Sequence, residues 1–177
     1  MRIISGKYKS QRLGQKKLNC RPTTDFAKEG LFNLINNSFC FEELVVLDLF
    51  SGSGNISFEF CSRGSKNVTC VENNLACLNF IKTTKNKLKL NQLSIIKSDV
   101  FQYLKKNKDK FDIIFVDPPY TFNKEKYKSI INTIIDKKFL NEKGSLIIEH
   151  SKYIKFEEDP SFFDTKKYGK VNFSFFK

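Results

Sequence analysis

The sequence predicts a parallel, doubly wound α/β fold, and three observations carry that reading. Short apolar runs of strand length, VVLDLF (45–50), NVTCVE (67–72), LSIIKSD (93–99), FDIIFVDPPY (111–120) and GSLIIEH (144–150), alternate with segments of helical spacing. The first run leads into a glycine-rich turn, Ser51-Gly-Ser-Gly54. Four successive runs carry an acid at or near the carboxyl end (Asp48, Glu72, Asp99, Asp117), the rim where ligands of such sheets sit.

Taken in order, residues 2–13 alternate weakly around Gly6 and read as a hairpin, and residues 14–24 read as a loop. Thr24 or Asp25 caps a helix whose apolar positions Ala27, Leu31, Leu34 and Ile35 share one face, with Gly30 weakening it. After the glycine turn, Ile56, Phe60 and Cys61 fall at helical spacing, and Gly64 is placed to end that helix. Further helices are expected over about 74–90, 100–107 and 124–138. The tail holds two β-like stretches, 164–168 and 171–176. The organisation expected is a basic arm, 1–24, followed by one α/β domain, 25–177.

A chain of 177 residues is long enough for one ordinary core without staples. Its 40% hydrophobic and 28% charged content excludes disorder. No run approaches the ~18 apolar residues of a membrane span, and the N-terminus lacks an apolar signal-peptide core, so a cytoplasmic, non-membrane protein is expected. The five cysteines (20, 40, 61, 70 and 77) form no C-x-x-C pair and stand with a single histidine, so neither disulfides nor a metal site is expected. That histidine, His150, follows Glu149 at a strand end and is read as a surface or rim residue.

The net charge of +12 favours a polyanionic partner, although 27 lysines against four arginines point to a coding bias as well. Placement says more than the total. Residues 1–21 hold Arg2, Lys7, Lys9, Arg12, Lys16, Lys17 and Arg21 and no acid. Surviving arginines in a lysine-using chain fit forked contacts to phosphate. Arg2, Lys7, Lys9 and Arg12 are read as phosphate contacts and Arg21 as lying nearer a base.

Gly52 and Gly54 let backbone approach a ligand, and the helix that follows offers N–H groups to an anion. The third position of a dinucleotide fingerprint is Ser57 rather than Gly. Glu72, 18 residues after Gly54, has the spacing of a ribose-binding acid, a feature that nicotinamide and S-adenosylmethionine (SAM) sites share. Asp48 beside the turn tips the reading toward SAM, the ligand with an amino-acid part. The Asp48 carboxylate can meet the α-ammonium, Glu72 the ribose hydroxyls and Asp99 the adenine amine. Phe50, Ser53, Asn73 and Val100, neighbours in these motifs, are counted with the cofactor site.

Asp117-Pro-Pro-Tyr120 carries the chemistry. The lone pair of an exocyclic base amine is delocalised into the ring. Two acceptors on its N–H groups, the Asp117 carboxylate and the Pro118 carbonyl, draw the nitrogen toward a tetrahedral shape and aim that pair. Pro119 stiffens the turn, and Tyr120 gives the base a face to stack on.

DLFSGSG, VE, SDV and DPPY in this order resemble the SAM-dependent amino-methyltransferases of nucleic acid. RIISGKYKSQRL (2–13), RPTTD (21–25), LFNLI (31–35) and SRG (62–64) closely resemble the RsmD family of 16S rRNA guanine-N2 methyltransferases. The resemblance runs from Arg2 to about Glu149. It implies the seven-stranded Rossmann-like SAM-dependent methyltransferase fold, here with a short N-terminal β-hairpin extension. It also implies SAM as cofactor, methylation of one guanine N2 and a partner that is 16S rRNA or the small ribosomal subunit. Arg21 and Thr23 of RPTTD are implied to line the site near the base. A monomer is expected. Two departures stand out: Phe26-Ala27-Lys28 where the family places arginines, and Asn55 where it places a small apolar residue. Two alternatives remain. A DNA adenine-N6 methyltransferase uses the same tetrapeptide but usually carries an added recognition region. An inactive rRNA-binding assembly factor would not need the intact tetrapeptide and turn.

Overall fold

The computed structural model describes residues 1–14, 18, 23–119 and 121–177. Among them, one sheet holds seven strands: Val45–Leu49 (β1), Asn67–Glu72 (β2), Leu93–Lys97 (β3), Phe111–Val116 (β4), Leu140–Ser151 (β5), Phe162–Tyr168 (β6) and Val171–Phe176 (β7). Their order is β3-β2-β1-β4-β5-β7-β6. The first five in that order pair in parallel, and β7 runs antiparallel to both β5 and β6. The helices are Asp25–Asn36 (α1), Asn55–Ser62 (α2), Leu75–Leu88 (α3), Val100–Lys106 (α4) and Lys124–Asp136 (α5).

Strand alternation sorts the core into two layers. Val46, Val68, Cys70, Ile113, Phe115 and Ile147 face α1, α2 and α3, where Leu31, Phe32, Phe58 and Ile81 meet them. Leu47, Leu49, Val71, Ile114, Val116 and Leu146 face α4 and α5, where Leu104, Ile130, Ile131 and Ile134 close the second layer. Central strands covered on both faces are why VVLDL and FDIIFV read as continuous apolar runs rather than as alternation.

Helix starts follow the capping rule. Thr24, Asn74, Asp99 and Asn123 each accept backbone N–H groups of the first turn of α1, α3, α4 and α5. Gly30, inside α1, costs about 1 kcal/mol against alanine in helix propensity. A Cβ there would lie 2.0 Å from the Tyr168 ring, so the glycine is what lets β6 close against α1.

Three elements depart from the sequence expectation. β4 stops at Val116, before Asp117, because Pro118 and Pro119 have no N–H for a ladder. β3 stops at Lys97, and Asp99 serves as the cap of α4 instead of ending the strand. β5 begins at Leu140, paired with Phe111 ahead of a register shift, and Asn141 is held by a 2.7 Å bond to Asp112. His150 is buried rather than at the surface or rim. Its ring nitrogens lie 2.9 Å from the Ser151 carbonyl and 2.7 Å from Ser174 Oγ, and burial lowers its pKa.

The N-terminal segment is a hairpin closed by one antiparallel bridge, Arg2 to Arg12, with Ile3 and Leu13 buried in the first core layer. It lies along α2. Ile4 and Ser5 N–H donate to Glu59, Lys7 N–H donates to the Ser62 carbonyl at 2.7 Å, and the Tyr8 hydroxyl donates to the Leu88 carbonyl.

Candidate active site

A cavity of about 590 Å³ opens at the carboxyl ends of β1, β2 and β4. Its wall begins with the turn after β1. Phe50, Gly52 and Gly54, every second residue of the turn, have positive φ (59°, 53° and 75°), a conformation that glycine takes without strain at two of the three. Ser51 Oγ donates to the Asp48 carbonyl at 2.7 Å, and Gly54 N–H closes the turn on the Ser51 carbonyl at 2.7 Å.

The Glu72 carboxylate braces this turn across strands. It accepts from Gly52 N–H at 2.7 Å, and from Asn73 and Asn74 N–H at 2.8 and 2.7 Å. Asp48 points into the α2 side of the sheet and is almost fully buried. Its Oδ2 accepts from Ser57 N–H (3.1 Å) and Ser57 Oγ–H (2.5 Å). Ser57, at the third fingerprint position, therefore holds the acid with two donors, of which glycine would supply only the backbone N–H. Burial pushes the Asp48 pKa up to about 7, against the pull of the Ser57 donors and with the Glu72 charge adding to the rise.

Asp117, Pro118 and Pro119 line the same cavity. Asp117 N–H reaches the Leu49 carbonyl at 3.4 Å, and Phe122 N–H donates to the Pro119 carbonyl at 2.9 Å, closing a turn. Phe122 is seated against Phe50 and Phe101, so the turn after β4 and the turn after β1 share one aromatic support.

Thr23 also lines the cavity, and its Oγ donates to the Glu149 carboxylate at 2.7 Å. Behind it runs a buried network that the sequence did not reveal. Lys28 and Glu59 have fully buried side chains and form an ion pair at 3.2 Å. Lys28 Nζ also donates to the Arg2 carbonyl (2.6 Å) and to Asn55 Oδ1 (2.9 Å), which accounts for all three ammonium protons. Asn55 Nδ2 donates in turn to the Thr23 carbonyl at 3.1 Å. Glu59 further accepts from Arg63 at 3.0 Å. The two departures noted in the sequence, Lys28 and Asn55, are thus hydrogen-bond partners, and Asn55 is part of the cavity wall. Burial lowers the Lys28 pKa, with Glu59 opposing the shift.

The expected site residues fall into four groups. Asp48, Phe50, Gly52, Ser53, Glu72, Asp117, Pro118 and Thr23 come together around the cavity, with Gly54 closing its turn. Asn73, Asp99 and Val100 are placed outside its lining: Asn73 gives its N–H to Glu72, Asp99 caps α4 and Val100 is core. Arg21 and Tyr120 lie outside the described residues. In the arm, Arg2, Lys7, Lys9 and Arg12 are all exposed. Arg2 pairs with Asp25 at 3.1 Å at the cavity end of α2, where Ser53 Oγ meets Met1 Sδ. Lys7 and Lys9 sit at the hairpin tip by Ser62, about one short helix length (~12 Å) farther off. Leu18, Ser51, Asn55, Ile56, Asn74, Cys77 and Phe115 also line the wall without having been singled out as ligands.

The strand order and a glycine turn and acids on one rim define a protein of the Rossmann-like SAM-dependent methyltransferase fold. The chain belongs to the family described as conserved hypothetical protein 95, the RsmD family, whose model matches residues 1–177. It is 37% identical over 150 residues to ribosomal RNA small subunit methyltransferase D of Buchnera aphidicola subsp. Baizongia pistaciae, spanning 84% of this chain and 75% of that one. The solved structure of yhhF from Escherichia coli superposes with a TM-score of 0.86 at 25% identity, over 99% of this chain and 96% of that one. At 16% identity, SMU.776 complexed with S-adenosylhomocysteine (SAH) shares the fold, with a TM-score of 0.67 over 84% of this chain and 48% of that one.

Proposed function

We propose that the chain transfers the methyl group of SAM to the exocyclic N2 amine of a guanine in small-subunit rRNA. The observation that carries this reading is that Asp117 and Pro118 line the same cavity as Asp48, Glu72 and the glycine turn. The name of the Buchnera relative supports the RNA and the subunit. The residues fit SAM: a buried carboxylate at the cavity for an ammonium, a strand-end carboxylate for ribose hydroxyls, and a glycine turn that brings backbone to the cavity wall. When bound, SAM supplies an electrophilic methyl group on a sulfonium.

The work of the chain is positioning. Asp48, Glu72 and the turn Phe50–Gly54 hold the cofactor. The Asp117 carboxylate and the Pro118 carbonyl accept the two amine N–H groups and aim the nitrogen lone pair. After transfer, the extra proton on nitrogen passes to Asp117 or to water. The test is transfer of tritiated methyl to 16S rRNA, small subunits and DNA, followed by nucleoside chromatography. Label in N2-methylguanosine from the RNA is expected. Label in N6-methyladenine from DNA, or SAM binding with no transfer, overturns the reading.

Asp48 makes SAM binding pH-dependent. The ligand-free protein holds a proton on Asp48 below about pH 7, whereas an α-ammonium requires the carboxylate. Binding therefore releases a proton near pH 6, and affinity is expected to fall about tenfold per pH unit below 7. Calorimetry in buffers of different ionisation heat reads both effects, and Asp48→Asn removes the pH dependence. The stability of the ligand-free protein runs the other way. Because the folded pKa lies above the model value of 3.8, the native state binds more protons, and stability falls as pH rises from about 4 to 7. A pH-independent SAM affinity would remove Asp48 from the ammonium site.

A further inference from the structure

Phe26 is 69% exposed, one of four large apolar side chains that stand out from the surface among the described residues (with Leu75, Tyr153 and Phe163), and what sets it apart is its place. It stands in the first turn of α1, two residues after the cap Thr24 and three after the cavity-lining Thr23. The ring is held from one side only. Tyr168 meets it edge to face, with centroids 5.9 Å apart and planes at 72°. Tyr168 is itself fixed, packed on Phe173 at 5.8 Å and against Gly30, where any side chain would collide with it. The exposed ring is therefore presented at the start of α1, propped by Tyr168 and three residues along the chain from the wall of the site.

We propose that Phe26 is a stacking platform for an unpaired base of the RNA, next to the guanine that enters the cavity. The inference rests on the RNA reading above and adds a substrate contact to it. A guanine that leaves its stack to reach Asp117 leaves the face of its neighbour bare, and a fixed aromatic ring outside the mouth replaces that lost surface. Stacking also explains why the ring is apolar and flat, where a phosphate contact would call for a cation. The charge nearby suits a polyanion. Asp25 is already tied to Arg2 at 3.1 Å, exposed Lys170 lies in the turn after Tyr168, and the arm hairpin carries only basic charges, with Glu29 as an exposed acid one turn along α1.

The chain has no tryptophan, so Phe26→Trp creates a single fluorescent reporter at an exposed position. Expected are wild-type KM for RNA in Phe26→Trp and quenching of its emission by RNA with SAH bound, but not by SAM alone. Phe26→Ala is expected to raise KM for RNA about tenfold or more, with kcat and SAM affinity unchanged, the pattern of a binding contact shared by ground and transition states. Thermal unfolding of both variants checks that the fold is intact. If wild type methylates RNA and Phe26→Ala does so with unchanged KM, or the Phe26→Trp emission ignores saturating RNA, the platform is overturned and the RNA reading stands. If wild type transfers no methyl to RNA, the RNA reading falls and the platform with it.

Discussion

Asp117→Ala is expected to lose about a hundred- to a thousandfold in kcat while SAM affinity stays within about twofold. The size follows from what one preorganised acceptor contributes in a site that catalyses by orientation. Asp117 is well placed for that role. Its backbone is anchored to the Leu49 carbonyl, the prolines after it leave the ladder, and the turn is closed by Phe122 N–H on the Pro119 carbonyl. In the proposed reaction the carboxylate meets the base and not the cofactor, hence the expected separation of kcat from SAM binding. Asp117→Asn keeps a carbonyl acceptor but not the charge, and should fall between the two. Single-turnover transfer from SAM to rRNA gives the chemical step without product release. An alanine variant retaining more than about a tenth of wild-type kcat would remove Asp117 from the reaction.

The framework of this site was legible because it is written in local sequence. Apolar runs interrupted by Gly, Pro or an acid gave β1, β2 and β4 to within a few residues, since a strand covered on both faces has little freedom of composition. The acids were visible because each ends or follows such a run. Their individual roles were less legible. Asp99 looked like Glu72 in sequence, yet a Ser-Asp pair before a helical pattern is also a cap signal, and capping is what the structure shows it doing. Ser57 read as a missing glycine, and its partnership with Asp48 needs the curvature of the turn.

The Lys28–Glu59 pair lay beyond reach for a different reason. The two residues are far apart in sequence and belong to different helices. Their one local trace is a charge set among apolar neighbours: Lys28 beside Ala27 and Leu31, Glu59 between Phe58 and Phe60. The same network ties the hairpin to the wall of the cavity, so the basic arm is held by backbone N–H groups on Glu59 and the Arg2 carbonyl on Lys28, whatever its side chains bind.

That network sets the second large effect. Lys28→Met is expected to destabilise the protein by about 2–3 kcal/mol, less than the roughly 3–5 kcal/mol of a buried charge left wholly unpaired, because Glu59 keeps its second cation, Arg63. Methionine fills much of the volume, so the loss is electrostatic and polar rather than a cavity. The Arg2 carbonyl and Asn55 Oδ1 lose their donor, and Glu59 keeps Arg63 and the two hairpin N–H groups. Glu59→Gln strands the ammonium in the opposite sense and should also destabilise. The double variant should lose less than the sum of the two by about 1–2 kcal/mol, because neither charge is then left alone. Urea midpoints measured at constant slope give all three values. Asn55 and Thr23 also lose their brace, so at temperatures where Lys28→Met remains folded its SAM affinity should fall severalfold. An additive cycle, with SAM affinity unchanged, would mean that the pair neither couples the two helices nor shapes the wall.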